Sequence, residues 1–242
     1  MRIRAIATDV DGVLTETRET FRLDLDAVKA LRWLVSKGIN VLLVSANAYQ
    51  ILAGLARYLG VKGPIIAENG CIVFYEEKLF HVSKSTTKPV LKDVLKNYRK
   101  YVKQSWQNRF KIHDFTLKIK EPYRKSWFKI YNTIKDFIVK KGHDNLCKAQ
   151  YTYYRVFLTP VDGGKDKGLR RALKLINVDV SETLGIGDGL NDLDFLKIVG
   201  YRATVQNAEE RVKEIADFIS SKPSGKGFAE IAKWLISCNF NI

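Results

Sequence analysis

Two groups of carboxylates, separated by most of the chain, each follow a short apolar run. Asp9 and Asp11 come directly after apolar residues near the start of the chain, and Asp188 and Asp192 follow a second apolar run. Short runs rich in apolar and β-branched residues are typical of buried parallel strands. The two groups can meet only in a fold that brings the ends of these strands together. Together they would form an all-oxygen site suited to Mg²⁺ and phosphate chemistry.

Hydrophobic periodicity alternates between strand and helix in the first and last thirds of the chain. Buried strands are predicted at residues 3–8, 39–44, 65–67, 183–186 and 201–205. Helices are predicted at residues 24–36, 48–59, 167–175, 191–197, 209–215 and 228–236. Strands that alternate with helices in this way favour a parallel sheet with right-handed crossovers. The predicted fold class is α/β, with a Rossmann-like, doubly wound parallel sheet as its core.

The middle of the chain breaks this alternation and carries most of the net positive charge. A hairpin is predicted at 71–75 and 78–82, followed by helices at 90–102 and 127–139 and strands at 115–119 and 151–158. Residues 84–156 hold 19 Lys and Arg against 5 Asp and Glu, whereas the remainder holds 22 against 21. The shift predicts an inserted α+β domain at 84–156, between core segments 1–83 and 157–242.

The charge of the insert leaves three interpretations open. It is a solvated surface, a field that attracts an anionic substrate, or a surface that binds nucleic acid. The stretch contains no recognisable nucleic-acid-binding motif, which makes a nucleic-acid partner the least favoured of the three.

Composition and cysteine usage bound the cellular setting. No apolar run reaches the roughly 18 residues of a membrane span, and the N-terminus enters a strand pattern without a signal-peptide pattern. The three cysteines are odd in number and far apart, which favours a reducing compartment over a disulfide framework. We therefore expect a cytoplasmic protein without a membrane partner.

Four groups of polar residues are predicted at strand ends, where ligands bind in open parallel sheets. They are Asp9 with Asp11, Ser45, the lysine loop at 165–168, and Asp188 with Asp192. Each alone is an ordinary turn, helix cap or exposed lysine. Together they supply a carboxylate nucleophile, ligands for Mg²⁺, a cation and a hydroxyl for phosphate oxygens, and a second carboxyl for proton transfer.

On these residues the chain resembles the haloacid dehalogenase-like hydrolase superfamily, whose four motifs occur here in order. The resemblance implies that Asp9 is the nucleophile and a metal ligand, and that Asp11 is the acid/base and binds metal through its main-chain carbonyl. It further implies that Ser45 holds phosphate, that Asp188 binds metal, and that Asp192 binds the metal directly or supports its ligands. The implied cofactor is Mg²⁺.

Two details are similar to the sugar-phosphatase-like branch, in which a cap domain is inserted between the second motif and the lysine. They are Glu68-Asn69-Gly70 before the insert and Gly164-Lys165-Asp166-Lys167-Gly168 after it. By that pattern Lys167 aligns with the phosphate-binding lysine, and Lys165 is the alternative. Asn47, two residues after Ser45, is a further candidate for contact with phosphate or substrate.

The small insert and short chain are most similar to archaeal phosphoglycolate phosphatases, relatives of sucrose-phosphate phosphatases. The resemblance implies Mg²⁺-dependent hydrolysis of a small anionic phosphomonoester through an aspartyl-phosphate, with 2-phosphoglycolate converted to glycolate. The alternatives are a sugar-phosphate or phosphoglycerate-type phosphatase and, from another class, a nucleic-acid-binding protein that uses the basic insert. Candidates for binding a substrate carboxylate are Lys118, Lys120, Arg124 and Arg155. The predicted hairpin offers a surface through which a homodimer would form.

Overall fold

Strands and helices alternate at both ends of the chain and enclose a mixed unit. In the computed structural model, which describes residues 2–241, the strands are β1 (Ala5–Thr8), β2 (Asn40–Leu43), β3 (Ile65–Ala67), β4 (Ile72–Tyr75), β5 (Lys78–His81), β6 (Val102–Gln104), β7 (Phe115–Ile119), β8 (Cys147–Thr152), β9 (Arg155–Pro160), β10 (Thr183–Ile186), β11 (Tyr201–Thr204) and β12 (Phe218–Ile219). The helices are α1 (Leu25–Ser36), α2 (Tyr49–Leu59), α3 (Lys88–Tyr98), α4 (Trp127–Lys140), α5 (Lys165–Leu175), α6 (Leu193–Leu196), α7 (Glu210–Lys213) and α8 (Ser224–Ser237).

The central sheet is parallel throughout, with the strand order β12-β11-β10-β1-β2. A parallel bridge between Val44 and Ile66 attaches β3 beside β2. Helices pack in two groups, α1 with α8 and α5 with α6. The predicted α/β class with a parallel core is confirmed. None of the helices in the described part of the chain combines the length and the apolar character that a bilayer crossing requires.

The strand ends are in register, and this positions the polar residues that follow them. Thr8 at the end of β1 lies opposite Ile186 on one side and Leu43 on the other. The backbone continues this pairing, because the Asp9 amide donates to the Ile186 carbonyl at 2.8 Å. The segments after β1, β2 and β10 therefore leave the sheet at the same edge.

The inserted unit has its own sheet and its own hydrophobic cluster. Its antiparallel strands follow the order β6-β7-β9-β8. Leu117 and Val156 point from one face of this sheet into a cluster with α3 and α4, separate from the cluster of the parallel core. Because β9 continues to Pro160, we propose that the inserted unit, here called the cap, occupies residues 84–160.

Glu68 anchors the cap to the core. Its carboxylate accepts hydrogen bonds from the backbone amides of Ile112, His113 and Asp114 at 3.0, 2.8 and 3.2 Å. Burial raises the pKa of Glu68, and these backbone donors act in the opposite direction. Glu68 and Asn69 both adopt φ of 51°, a left-handed conformation that a non-glycine residue adopts only when its surroundings enforce it.

Two predicted elements of the cap are wrong. The helix predicted at 90–102 ends at Tyr98, because Val102 joins the cap sheet as the first residue of β6. The single strand predicted at 151–158 is a hairpin of β8 and β9, which turns at Tyr153 with φ of 50°. This turn is built from Tyr153 and Tyr154 and lacks the Gly, Asn or Asp that normally marks a turn in sequence.

Candidate active site

Three buried carboxylates meet at the edge of the parallel sheet. Asp9 follows β1, and Asp188 and Asp192 follow β10. Each offers one oxygen within 4.8 Å of the others. Gly12 permits this approach, since it adopts φ of 93° and a side chain there would collide with the Asp188 carboxylate. The two acidic motifs recognised in the sequence therefore converge in space.

Lys165 is the cation of this cluster. It is the first residue of α5, and its buried Nζ lies 2.5 Å from Asp192 Oδ1 and 3.3 Å from Asp9 Oδ1. Burial lowers the pKa of Lys165, but attraction to Asp192 and Asp9 outweighs it and the net shift is upward. Gly70 helps to position this residue, because its Cα packs directly on the Gly164–Lys165 backbone and leaves no room for a side chain.

The prediction of Lys167 as the lysine of the site requires correction. Its Nζ is exposed and donates to the main-chain carbonyl of Val161 at 3.1 Å. Lys165 and Lys167 are two residues apart on one helix, and residues at that spacing do not share a face. Since Lys165 faces the carboxylates, Lys167 faces away from them.

Asp192 shapes the loop that carries Asp188. Its Oδ2 accepts hydrogen bonds from the backbone amides of Asp188 and Gly189 at 3.0 and 2.9 Å, while Oδ1 accepts from Lys165. Both oxygens are therefore engaged within the protein. This geometry suits a residue that orients Asp188 and Lys165.

Burial and mutual repulsion raise the pKa values of two carboxylates at this site, Asp9 and Asp188. Burial, followed by the charge of Asp192, raises the pKa of Asp9 well above its usual range, although Lys165 acts in the opposite direction. Burial also raises the pKa of Asp188 to about 7, against the attraction of Arg18. A divalent cation would relieve this repulsion, and carboxylate oxygens are the ligands that Mg²⁺ prefers. The donor set thus fits Mg²⁺, which the side chains of Asp9 and Asp188 would hold.

Arg18 is a second cation at the cluster, and sequence reasoning missed it. Its Nε hydrogen-bonds Asp188 Oδ2, its Nη2 donates to the Asp188 carbonyl at 2.5 Å, and Nη1 lies 3.3 Å from Glu209 Oε1. The guanidinium also lies 5.6 Å from the ring centre of Tyr153 in the cap. No motif marks this arginine, because its partners are brought to it only by the tertiary fold.

Ser45, Asn47 and Asp11 form a hydrogen-bonded group beside the carboxylate cluster. The buried Ser45 Oγ accepts from the Asn47 amide at 3.2 Å and from Asn47 Nδ2 at 3.0 Å. Asn47 Nδ2 also donates to Asp11 Oδ2 at 3.0 Å. Asn47 thus holds one oxygen of the Asp11 carboxylate, Oδ2. Metal binding by the main-chain carbonyl of Asp11 stays a prediction.

A cavity between core and cap joins these groups to side chains of the cap sheet. Its lining includes Asp9, Asp11, Ser45 and Asn47 from the core and, from the cap, Ser105, Gln107, Thr116, Lys118, Thr152 and Arg155. Two of the four predicted carboxylate-binding candidates, Lys118 and Arg155, therefore face the cavity. Arg124 instead stacks on Tyr154 at 5.1 Å and pairs with Glu121 at 3.7 Å, and Lys120 is not part of the lining.

Comparisons with known proteins agree with this arrangement. The family model of the haloacid dehalogenase-like hydrolases matches residues 6–149 and 139–231. A phosphoglycolate phosphatase of Staphylothermus marinus is 38% identical over 235 residues, 97% of this chain and 98% of the relative. A phosphoglycolate phosphatase of Sulfolobus acidocaldarius is 40% identical over 240 residues, 99% of each chain.

Solved structures show the same fold at lower identity. A crystal structure of the Thermoplasma acidophilum protein 0175 superimposes with a TM-score of 0.82 at 22% identity, covering 98% of this chain and 99% of the other. A haloacid dehalogenase-like hydrolase of B. subtilis superimposes with a TM-score of 0.74 at 19% identity, covering 96% of this chain and 100% of the other.

Proposed function

The chain belongs to the haloacid dehalogenase-like hydrolase family, and we propose that it is a Mg²⁺-dependent phosphatase that hydrolyses 2-phosphoglycolate through a phosphorylated Asp9. The observation that carries the proposal is the cavity in which Asp9 and Asp11 face Lys118 and Arg155. The names of the archaeal relatives, phosphoglycolate phosphatases at 38% and 40% identity, support the choice of substrate.

The chemistry assigned to the chain is a double displacement. An Asp9 oxygen forms a bond to phosphorus while the bond to the substrate oxygen breaks, and Asp11 gives its proton to that departing oxygen. Water then attacks the phosphoryl group and gives a proton to Asp11, and the bond between Asp9 and phosphorus breaks. Inorganic phosphate leaves and both carboxyl groups return to their starting states.

The remaining groups hold the phosphoryl oxygens. Lys165 supplies a positive charge directly beside Asp9, and Ser45 Oγ keeps its own proton free to donate because it already accepts two hydrogen bonds. When bound by Asp9 and Asp188, Mg²⁺ neutralises the negative charge that would otherwise oppose attack by a carboxylate on a phosphate dianion. Asp192 orients both Asp188 and Lys165.

The cap supplies the argument for a substrate with a carboxylate. Lys118 and Arg155 are direct partners in the register of β7 and β9, and both point to the face opposite Leu117 and Val156. Burial, followed by Arg155, lowers the pKa of Lys118. Among the described residues neither cation has a carboxylate partner within 4.0 Å. Like charges directly opposite each other destabilise a sheet, and a bound carboxylate would offset that cost.

This pair of cations separates the proposed substrate from a neutral sugar phosphate. Phosphoglycolate carries both a phosphate and a carboxylate, so it offers a group to Asp9 and another to the cap cations that line the same cavity. A neutral sugar would place hydroxyl groups against Lys118 and Arg155 and leave both charges unpaired on desolvation, which is costly. Phosphoglycerates share the carboxylate and differ in size.

The test compares phosphate release from 2-phosphoglycolate, ethyl phosphate, 3-phosphoglycerate and glucose 6-phosphate, each with Mg²⁺ and with chelator. Ethyl phosphate is the informative comparison, because it keeps the alkyl phosphate and lacks the carboxylate. We expect the highest kcat/KM for 2-phosphoglycolate, and a Lys118→Met variant that loses about 10- to 100-fold of it, as for a charged hydrogen bond. Lys120→Met is the matched control and keeps its activity.

The outcomes separate the two parts of the proposal. Equal kcat/KM for 2-phosphoglycolate and ethyl phosphate would refute the carboxylate specificity and keep the phosphatase chemistry. Absence of Mg²⁺-dependent release from every ester would refute the phosphatase chemistry itself.

A further inference from the structure

Gln107 of the cap forms two hydrogen bonds with the core loop that carries Asn47. The backbone amide of Ala48 donates to Gln107 Oε1 at 3.0 Å, and Gln107 Nε2 donates to Asn47 Oδ1 at 2.7 Å. These bonds join residues about sixty positions apart, and both Asn47 and Gln107 line the cavity. Gln107 takes no direct part in the proposed reaction.

The direction of every hydrogen bond in this group follows from one unambiguous donor. The Ala48 backbone N–H can only donate, so the atom of Gln107 that faces it must be the carbonyl oxygen. The other end of Gln107 is then an N–H donor, and the Asn47 atom that receives it must be Oδ1. Asn47 Nδ2 is thereby turned toward Asp11 Oδ2 and Ser45 Oγ, at 3.0 Å each.

We infer that Gln107 is a positioning residue through which the seated cap orients Asn47 and, through Asn47, the Asp11 carboxyl. This inference rests on the proposed function for the role of Asp11. With Asp11 Oδ2 held by Asn47, Oδ1 is the oxygen left to carry a proton to and from the substrate. Proton transfer therefore becomes competent only when the cap lies against the core.

The surroundings of Gln107 indicate that its contact with Asn47 and Ala48 forms when the cap lies against the core and breaks when the cap moves away. The segment that carries it is tied to the core at its far end by Glu68, which accepts from the amides at 112–114. Its neighbours Trp106 and Phe110 are 59% and 46% exposed, whereas Asn108 exchanges two hydrogen bonds with the backbone of Thr116, so the segment is attached to the cap sheet. Movement of the cap would break both bonds of Gln107 and leave the Asn47 amide free to rotate.

The first test uses leaving groups of different basicity. Gln107→Leu keeps the size of the side chain and removes both bonds, and Gln107→Glu keeps the acceptor for Ala48 and loses the donor for Asn47. Gln104→Leu, an exposed residue on β6, is the matched control. General acid catalysis contributes about 10²- to 10⁴-fold when the leaving oxygen needs a proton, and little when the leaving group is already stable.

We expect both Gln107 variants to lose about 10-fold or more in kcat for 2-phosphoglycolate with little change in KM. The leaving group of p-nitrophenyl phosphate departs without a proton, so the rapid release of p-nitrophenolate reports the rate of the first step alone. In both Gln107 variants this rate should stay within about 2-fold of that of the unaltered protein. An equal loss in the first-step rate on both substrates, a loss confined to KM, or full activity of Gln107→Leu would overturn the inference.

A second test does not depend on turnover. The side-chain amide signals of Asn47 in an NMR spectrum, assigned with an Asn47→Ser variant, should shift in Gln107→Leu and stay in place in Gln104→Leu. Unchanged Asn47 signals in Gln107→Leu would overturn the inference even if the phosphatase proposal holds. Shifted signals in a protein without phosphatase activity would support the positioning contact and refute the proposed function instead.

Discussion

Replacing Lys165 with methionine should lower both the thermal stability and the turnover of this protein. Methionine keeps an unbranched chain of similar length, so it preserves packing beside Phe195, whose ring centre lies 5.8 Å from Lys165 Nζ. What it removes is the cation that contacts both Asp9 and Asp192 at the centre of the cluster. The two carboxylates are then left buried with their repulsion uncompensated in the absence of a metal.

The magnitudes follow from burial. Removing one partner of a buried ion pair costs about 3–5 kcal/mol of unfolding free energy. For a chain of this size each kcal/mol lowers Tm by about 2–4 °C, so the expected loss in chelator is about 6–20 °C. Because the ammonium also faces the reacting phosphoryl group in the proposed reaction, kcat should fall about 10²- to 10³-fold, the effect of removing one preorganised donor from a charged transition state.

Two measurements and one matched variant check this prediction. Thermal unfolding followed by circular dichroism gives Tm in chelator, and phosphate release with Mg²⁺ gives kcat. Lys167→Met is the control, since its exposed Nζ contacts only the Val161 carbonyl, and it should stay within about 0.5 kcal/mol of the unaltered protein. If Lys167→Met lost its activity and Lys165→Met kept it, the assignment of Lys165 as the lysine of the site would be refuted.

Three further changes test the loop, the cap anchor and a linker. Gly12→Ala introduces a Cβ at φ of 93° against the neighbouring carboxylate and should reduce kcat about 10²-fold, as expected for small displacements of catalytic groups; unaltered kinetics would contradict this. Glu68→Gln weakens three charged hydrogen bonds to the amides at 112–114 and should cost about 1–3 kcal/mol in urea unfolding, and an unchanged midpoint would refute it. Asp162 accepts from the linker at 83–85; burial raises the pKa of this carboxyl, but those hydrogen bonds outweigh it and hold the pKa below 3.8. The stabilisation by these hydrogen bonds is therefore complete above pH 3.8, the ordinary pKa of the group, and is lost as the pH falls through the lower pKa of the folded state. Below that pH the Tm of Asp162→Asn should equal that of the unaltered protein. A Tm difference that persists in acid would contradict this expectation.

The parallel core could be predicted because its signals are local. Strands such as β1 and β10 are buried on both faces and read as short apolar runs, and carboxylates directly after them fall where parallel sheets bind ligands. The convergence of Asp9 with Asp188 follows from that topology alone. Neither conclusion needs knowledge of a side-chain rotamer.

The choice between Lys165 and Lys167 depends on which face of α5 is turned toward the carboxylates, and the sequence pattern does not give this. The position directly before Gly168 predicts Lys167, whereas the lysine that contacts Asp9 and Asp192 is Lys165, the first residue of α5. A shift of two residues along a helix turns the side chain by about 200°, to the opposite face. The sequence pattern predicts a helix here, but it does not fix which face of that helix is turned toward the carboxylates.

Arg18 and Gln107 could not be predicted for a different reason. Arg18 meets Asp188 across 170 positions of sequence, and Gln107 meets Asn47 across 60. Their roles depend on how the loop after β1 and the cap lie over the sheet edge. The turn at Tyr153 escaped prediction as well, because tertiary packing enforces it within a run of residues that favour strands.

The most direct test of the account is to identify the residue that becomes phosphorylated. The protein with Asp11→Asn, in which hydrolysis of the intermediate should be slow, is mixed with 2-phosphoglycolate and Mg²⁺, quenched in acid and digested for mass spectrometry. We predict one phosphoryl group, labile to hydroxylamine, on the peptide that contains Asp9, and none in the double variant Asp9→Asn/Asp11→Asn. A phosphoryl group on another residue, or turnover by the Asp9→Asn protein, would contradict it.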